Sequence, residues 1–190
     1  LNRIYELFVL GELIDRTMHG YLLYSILNKA VGPLRKISWG VLYPLIHGLE
    51  NEALIEQVAE DDSEKEKGKK KKNYRITEEG KRRFYRLMEE PIDYKPEYEL
   101  HFQIKMSNFD QIEQDLQLTI LYQYKDYLKF LTRHIEGNVH DILKADIPEG
   151  ERKNLVRLNK HRLMKIEMDE TWVDQNIERI KKKDGGSSHE

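Results

Sequence analysis

Ser38, Trp39, Gly40, Tyr43 and His47 stand within ten residues of one another, in the stretch "ISWGVLYPLIHGLE" (37–50), whose leucines repeat at helical spacing. A hydroxyl, two large aromatics, an imidazole and a bare glycine backbone are suited to meeting phosphate, sugar and base edges. Farther on, "KGKKKKNYR" (67–75) gathers Lys69, Lys70, Lys71, Lys72 and Arg75 with no acid among them. With Lys36, which precedes the aromatic stretch, these cations are expected to grip phosphates or enter a minor groove. The acids just before them, Glu60, Asp61, Asp62, Glu64 and Glu66, partly neutralise the patch. His134, Glu136 and His140 invite a metal reading, but the two histidines do not have the spacing of a helical i, i+4 ligand pair and Gly137 intervenes. There is no cysteine, phosphate loop or nucleophile elbow. No enzyme activity, metal or cofactor is expected.

The elements that position these residues follow from periodicity and stop signals. "NRIYELFVLGELI" (2–14) reads as a short helix. Thr17 caps a second, "MHGYLLYSILNKAV" (18–31), with Tyr21, Leu22, Ile26 and Leu27 in one stripe and "GP" as its stop. Ser38 is the N-cap of a third helix, from Trp39 to about Asn51. At 100° per residue, Val41, Leu42, Leu45, Ile46 and Leu49 fall in an arc of about 140° that faces the core. Trp39, Gly40, Tyr43, His47 and Glu50 fall in the outward half. Pro44 clashes with the carbonyl four residues earlier, which is that of Gly40, and a kink is expected there. "ALIEQVAE" (53–60) and "NYRIT" (73–77) alternate as strands and form a two-stranded hairpin with a long charged tip. Thr77 caps a fourth helix, 78–90, with Glu78 and Glu79 at its positive end.

"PIDYKP" (91–96) marks a linker. Beyond it, 98–106 reads as a short helix. Ile112, Leu116, Ile120, Tyr124, Leu128, Leu131 and Ile135 then make one sustained helical stripe, interrupted near Gly137. Pro148 opens a last helix carrying Leu155, Leu158, Ile166, Val173, Ile177 and Ile180, and residues 184–190 read as a disordered tail. The stripe is either monomer core or dimer interface. We expect the latter, with Leu116, Ile120, Tyr124, Leu128, Leu131, Val173 and Ile177 at the contact. Trp172 is a candidate for an effector pocket, since aromatics stack on flat ligands.

Helix, helix, outward-decorated helix, hairpin with a lysine tip: this is the order of a winged helix-turn-helix, whose third helix enters the major groove while the wing touches flanking backbone. The segments "HGY" (19–21), "GVLYP" (40–44), Leu49–Glu50 and Tyr74, Thr77, Gly80 resemble the PadR family of bacterial transcriptional regulators over about residues 4–90. The resemblance implies a dimer held by C-terminal helices, and a repressor whose DNA affinity falls with an effector. Where that family usually has a glycine after the third helix, this chain has Ala53.

The expectation is therefore a mainly α chain with three functional parts: a winged helix-turn-helix domain at 1–90, a linker at 91–96 and a helical dimerisation domain at 97–183. Expected partners are double-stranded DNA with a palindromic operator, a second copy of the chain and a small-molecule effector. The 190 residues carry a net charge of −2 and 35% charged residues, with no membrane-length apolar run, so a cytoplasmic regulator is expected. Two rivals remain at this point. A protein-interaction winged helix would show no salt-sensitive DNA binding. A helical small-molecule sensor without its own operator would respond to ligand at Trp172 alone.

Overall fold

A computed structural model describes residues 2–33, 35–58 and 72–185. The chain forms two compact units, Leu1–Ile112 and Glu113–Glu190.

The first unit begins with helix α1 (Asn2–Glu12), which buries Leu7, Phe8, Val9 and Leu10. Strand β1 (Met18–His19) and helix α2 (Gly20–Ala30) follow. The expected cap, Thr17, does not start α2. The Nδ1 of His19 accepts from the amide of Leu22 at 3.0 Å, so an imidazole takes the capping role two residues later. The freed residues 18–19 join the sheet instead, and Met18 is buried against it. The sheet is thus three-stranded rather than a two-stranded hairpin. β1 pairs with β3 (Asn73–Ile76), and β3 pairs with β2 (Ile55–Val58), all antiparallel, in the order β1-β3-β2. The stripe expected on α2 is also rotated: Leu23 and Leu27 are buried, whereas Tyr21 is 67% exposed.

Helix α3 runs from Trp39 to Asn51 without a break at Pro44. Its end forms a capping turn in which Leu54 N–H donates to the Leu49 carbonyl at 2.9 Å and Ala53 N–H to that of Glu50 at 3.0 Å. Ala53 adopts φ +55°, the left-handed conformation that usually takes glycine at this position of a helix end. The Thr77 hydroxyl donates to the Ala53 carbonyl at 2.7 Å and accepts from the amide of Gly80 at 3.0 Å. Thr77 thereby ties the end of α3 to the start of α4 (Glu78–Glu89). A Cβ on Gly80 would lie 2.0 Å from the Leu54 carbonyl oxygen, so this crossing admits only glycine without a backbone shift.

The linker expected at 91–96 does not divide the units. Helix α5 (Tyr98–Met106) packs on α1, and Lys105 on α5 donates from Nζ to the carbonyls of Met88 at 2.8 Å and Glu90 at 2.5 Å. These bonds satisfy the open end of α4, and the first unit therefore extends through a 3₁₀ turn (Phe109–Gln111) to Ile112. Burial pushes the Lys105 ammonium down to about 8.

The second unit is a hairpin of two long helices, α6 (Gln114–Lys144) and α7 (Glu149–Gly185). α6 continues through Gly137, where an interruption was expected, and α7 runs past residue 183 into the segment read as a tail; residues 186–190 lie outside the described residues. Ile120, Tyr124, Leu128 and Ile135 of α6 and Ile166, Val173, Ile177 and Ile180 of α7 are buried. Asp174 accepts from Lys125, and the Ile180 carbonyl accepts from the Gln114 side-chain Nε2 at 3.1 Å, which fixes the antiparallel register.

Candidate nucleic-acid interface

The turn that aims α3 is held by one side chain. Asn28, on α2, accepts from the amide of Ile37 at 2.9 Å and donates to its carbonyl at 3.1 Å. Ile37 is buried beneath this clamp, and α3 starts two residues later. Ser38 occupies the N-cap position, but its side chain makes no capping bond and the residue is exposed. Its hydroxyl is therefore not committed to the helix end as the sequence suggested.

The buried strip of α3 is narrower than the expected arc. Leu42, Ile46 and Leu49 are the buried residues, spanning about 60° of the helix. Val41, placed on the core face by its hydrophobicity, is 46% exposed, and Leu45 is only half-buried. Val41 lies about 80° from the nearest buried position, beyond the reach of a core this small.

The aromatics line up across α2 and α3. Tyr24 meets Trp39 edge-on, with ring centroids 5.6 Å apart, and Trp39 lies 5.6 Å from Tyr43. Tyr43 in turn meets the His47 ring at 4.4 Å and 80°. Tyr21 joins the row at 6.1 Å from Tyr24. Trp39 is part of the packing as well as of the surface: a Cβ on Gly20 would stand 3.1 Å from its ring. Trp39 and Tyr43 are nonetheless about 40% exposed. His47 lies 3.3 Å from the Glu50 carboxylate.

Tyr21, Trp39, Tyr43, Lys72 and Tyr74 border one shallow cleft of about 160 Å³, with His19, Gly20 and Ile46 as its remaining walls. Tyr74 is buried on β3, and its phenol is pushed above the usual range by burial, then by Glu50 and Tyr43. The cleft thus joins residues from α2, α3 and the wing. Tyr21 was missed by sequence reasoning, which had assigned it to the buried stripe of α2. The signal was the adjacent "HGY" motif, which places it in the first turn beside the imidazole cap.

Lys36 and Arg35 are exposed just ahead of α3, and Lys72 is exposed at the base of the wing. Lys69, Lys70 and Lys71 lie outside the described residues. Arg75 is separated from Lys72's cleft by strand alternation: Tyr74 and Ile76 face the core, while Arg75 is exposed. Its guanidinium donates to Glu56 on the neighbouring strand at 2.7 Å and 3.0 Å. The structure does not bring Arg75 together with the cleft residues.

The residues expected at a dimer contact divide differently. Ile120, Tyr124, Leu128, Val173 and Ile177 are already buried in the single chain, and Leu116 and Leu131 are half-buried. The first five serve as core of the hairpin and have no surface left to offer a partner. Leu158, Met164 and Met168 of α7 are instead 46%, 66% and 66% exposed. Trp172 is 40% exposed on the same helix, and its carbonyl accepts from Asn176 at 2.8 Å. Among the described residues there is no group of three or more His, Cys, Asp or Glu placed to hold a metal ion, and no helix is long and apolar enough to cross a membrane.

Residues 9–86 match the family model described as the transcriptional regulator PadR-like family. Several solved structures are similar to the chain. Bacillus subtilis PadR in complex with operator DNA is 16% identical, with 92% of this chain and 98% of that chain covered and a TM-score of 0.42. The same regulator in complex with p-coumaric acid is 17% identical, with coverages of 95% and 97% and a TM-score of 0.40. The PadR-like regulator BC1756 from Bacillus cereus is 20% identical, with coverages of 94% and 99% and a TM-score of 0.38. No curated protein matches the chain.

Proposed function

We propose, from the membership of residues 9–86 in the PadR-like family of transcriptional regulators, that this chain is a sequence-specific DNA-binding repressor acting as a homodimer. The observation that carries this reading is the cleft in which Tyr21 from α2, Trp39 and Tyr43 from α3 and Lys72 from the wing open to one side. Exposed phenols and a lysine on a shared face match the sugar-phosphate backbone, which positions a protein on its duplex. Gly40, exposed one turn before Pro44, lets another surface approach the helix closely. Lys69, Lys70 and Lys71 extend the basic character along the wing sequence, while Arg75 is assigned to pairing with Glu56.

A dimer would present two copies of α3 to successive major grooves about one helical turn apart, and hence to a palindrome. The exposed Leu158, Met164 and Met168 support α7 as the source of that contact, in place of the residues already used as core. Effector relief of repression would act through the helical unit, with Trp172 as the reporter of binding.

Selection of bound duplexes from a random pool at moderate salt tests the reading. Recovery of a palindrome is the expected result, with binding to it falling roughly 10³–10⁵-fold between 50 and 200 mM salt if about six to ten phosphates are contacted. A salt-insensitive or absent interaction overturns it in favour of a protein-binding winged helix.

A further inference from the structure

We infer that α3 recognises its DNA through the C5-methyl groups of thymine rather than through hydrogen bonds to base edges. This rests on the DNA-binding reading above and names what the helix reads.

The centre of the exposed face of α3 is formed by Gly40, Pro44 and Gly48, with Val41 on one flank and Tyr43 and His47 on the other. Gly40, Val41 and Pro44 are exposed, Val41 at 46%. No side chain at this centre carries a hydrogen-bonding atom until Asn51, the last residue of the helix, which is exposed about 20° from Pro44. A Cβ on Gly48 would meet nothing within 4 Å, and one on Gly40 only the Ser38 hydroxyl. At the flank, the His47 imidazole stands 3.3 Å from the Glu50 carboxylate, and the Tyr43 ring packs between Trp39 and His47, with its phenol in the backbone role proposed above. Cations are available, but at the ends: Arg35 and Lys36 before the helix, Lys72 on the wing.

Base readout in the major groove has two currencies. Guanine and adenine are selected by bidentate donors from Arg, Lys, Asn or Gln, and thymine by apolar contact with its methyl group. Up to Gly48 the exposed centre of α3 holds none of the first set; Asn51 stands at the C-terminal end of the helix, away from the N-terminal residues of a recognition helix that reach base edges. It offers a valine isopropyl group and a proline ring to the one apolar group that a base edge displays in that groove. The missing side chains at Gly40 and Gly48 let the helix backbone sit close enough for such short-range contacts. Phosphate contacts from the flanking cations would fix the register, and the Val41–Pro44 ridge would choose thymine within it.

The test is a pair of selections, one from a random duplex pool containing thymidine and one from the same pool with deoxyuridine in every thymidine position. The expected result is a T·A-centred half-site from the first pool and no such half-site from the second. On the selected duplex, each contacted thymine changed to deoxyuridine should weaken binding about fourfold, the worth of one buried methyl. Val41→Ala should narrow that thymine-to-uracil difference, because valine and methyl are then coupled partners. The same motif with equal affinity from both pools overturns thymine reading and leaves DNA binding standing. Enrichment from neither pool overturns the DNA-binding reading itself. A thymine-to-uracil difference of full size in Val41→Ala assigns the effect to duplex shape and overturns the role of α3.

Discussion

Helix α3 and the α6–α7 hairpin use apolar side chains in opposite ways. In α3, Leu42, Ile46 and Leu49 are buried, while Gly40, Val41 and Pro44 remain exposed to solvent. In the hairpin, Ile120, Leu128, Val173 and Ile177 are gathered into a seam, and most of the outer surface is charged. A residue in the seam contributes to stability and has nothing left for recognition. A residue on the outer side of α3 contributes little to stability and is available to a ligand. Leu158, Met164 and Met168 are where the hairpin behaves like α3, exposing apolar surface that its own unit does not cover.

The sharpest way to break this contrast is to cut one residue of each kind from the hairpin. Leu128→Ala should cost about 2–5 kcal/mol in urea unfolding of the helical unit, as truncation of a closed core does. Met168→Glu should leave helical content unchanged and halve the mass seen by light scattering. A Leu128→Ala protein of unaltered stability would return that residue to an interface, and a Met168→Glu protein that remains dimeric would move the contact away from the exposed stripe of α7.

The two units also differ in the polar groups they bury. Among the described residues, Glu6 and Lys105 are buried in the first unit, whereas the second buries the neutral Asn159 and Asn176. His101 stands near Lys105 with its Nε2 buried and lacking a hydrogen-bond partner. Burial first, then the positive charges of Lys105 and Arg3, push its imidazole down to about 4. A histidine held neutral in the fold takes up a proton in the unfolded chain from about pH 6.5 downward. Its contribution is present above pH 6.5 and is lost as the pH falls toward 4, by up to roughly 3 kcal/mol. The first unit should therefore lose stability over this window while the helical hairpin loses less, and His101→Phe should flatten the difference. Equal acid sensitivity of wild type and variant, followed by unfolding at a series of pH values, would remove His101 as its source.

Much of this was legible in the sequence wherever one local rule decides. Trp39–Asn51 and Tyr98–Met106 begin and end where periodicity and caps put them, and Thr77 caps α4 as expected. What was not legible depends on contacts across the chain. His19 replaces Thr17 as a cap because residues 18–19 pair with β3, a partner more than fifty residues away. The 91–96 segment reads as a linker from its two prolines, yet Lys105 reaches back to Met88 and Glu90. Helical periodicity marks a stripe but cannot say whether the same chain or another covers it, and this is why Ile120 and Leu128 were assigned to a dimer contact. Asn28 carried no signal, since an asparagine inside a helix usually faces water. Its three hydrogen bonds to the Tyr24 and Ile37 backbone now make it the residue that aims α3. Asn28→Ala should cost about 1–3 kcal/mol, the penalty for stranding half-buried backbone groups. It should also weaken DNA binding beyond that loss at temperatures where the protein stays folded. An unchanged affinity in the folded variant would mean that α3 holds its angle without the clamp.

Ala53 gives the smallest expected effect and the finest test of how α3 ends. Its φ of +55° costs an L-residue roughly 1–2 kcal/mol that glycine avoids. Glycine at the same place loses more freedom on folding, which offsets roughly half of the gain. Ala53→Gly should therefore stabilise the first unit by about 0.5–1 kcal/mol, or a few degrees in Tm. The bonds from Leu54 to Leu49 and from Ala53 to Glu50 require this left-handed residue, so a branched side chain has no relaxed alternative. Ala53→Val should accordingly move Tm the other way. If both variants lowered stability equally, the left-handed turn would not be the strained point, and the tie from Thr77 to the Ala53 carbonyl would have to hold the end of α3 by itself.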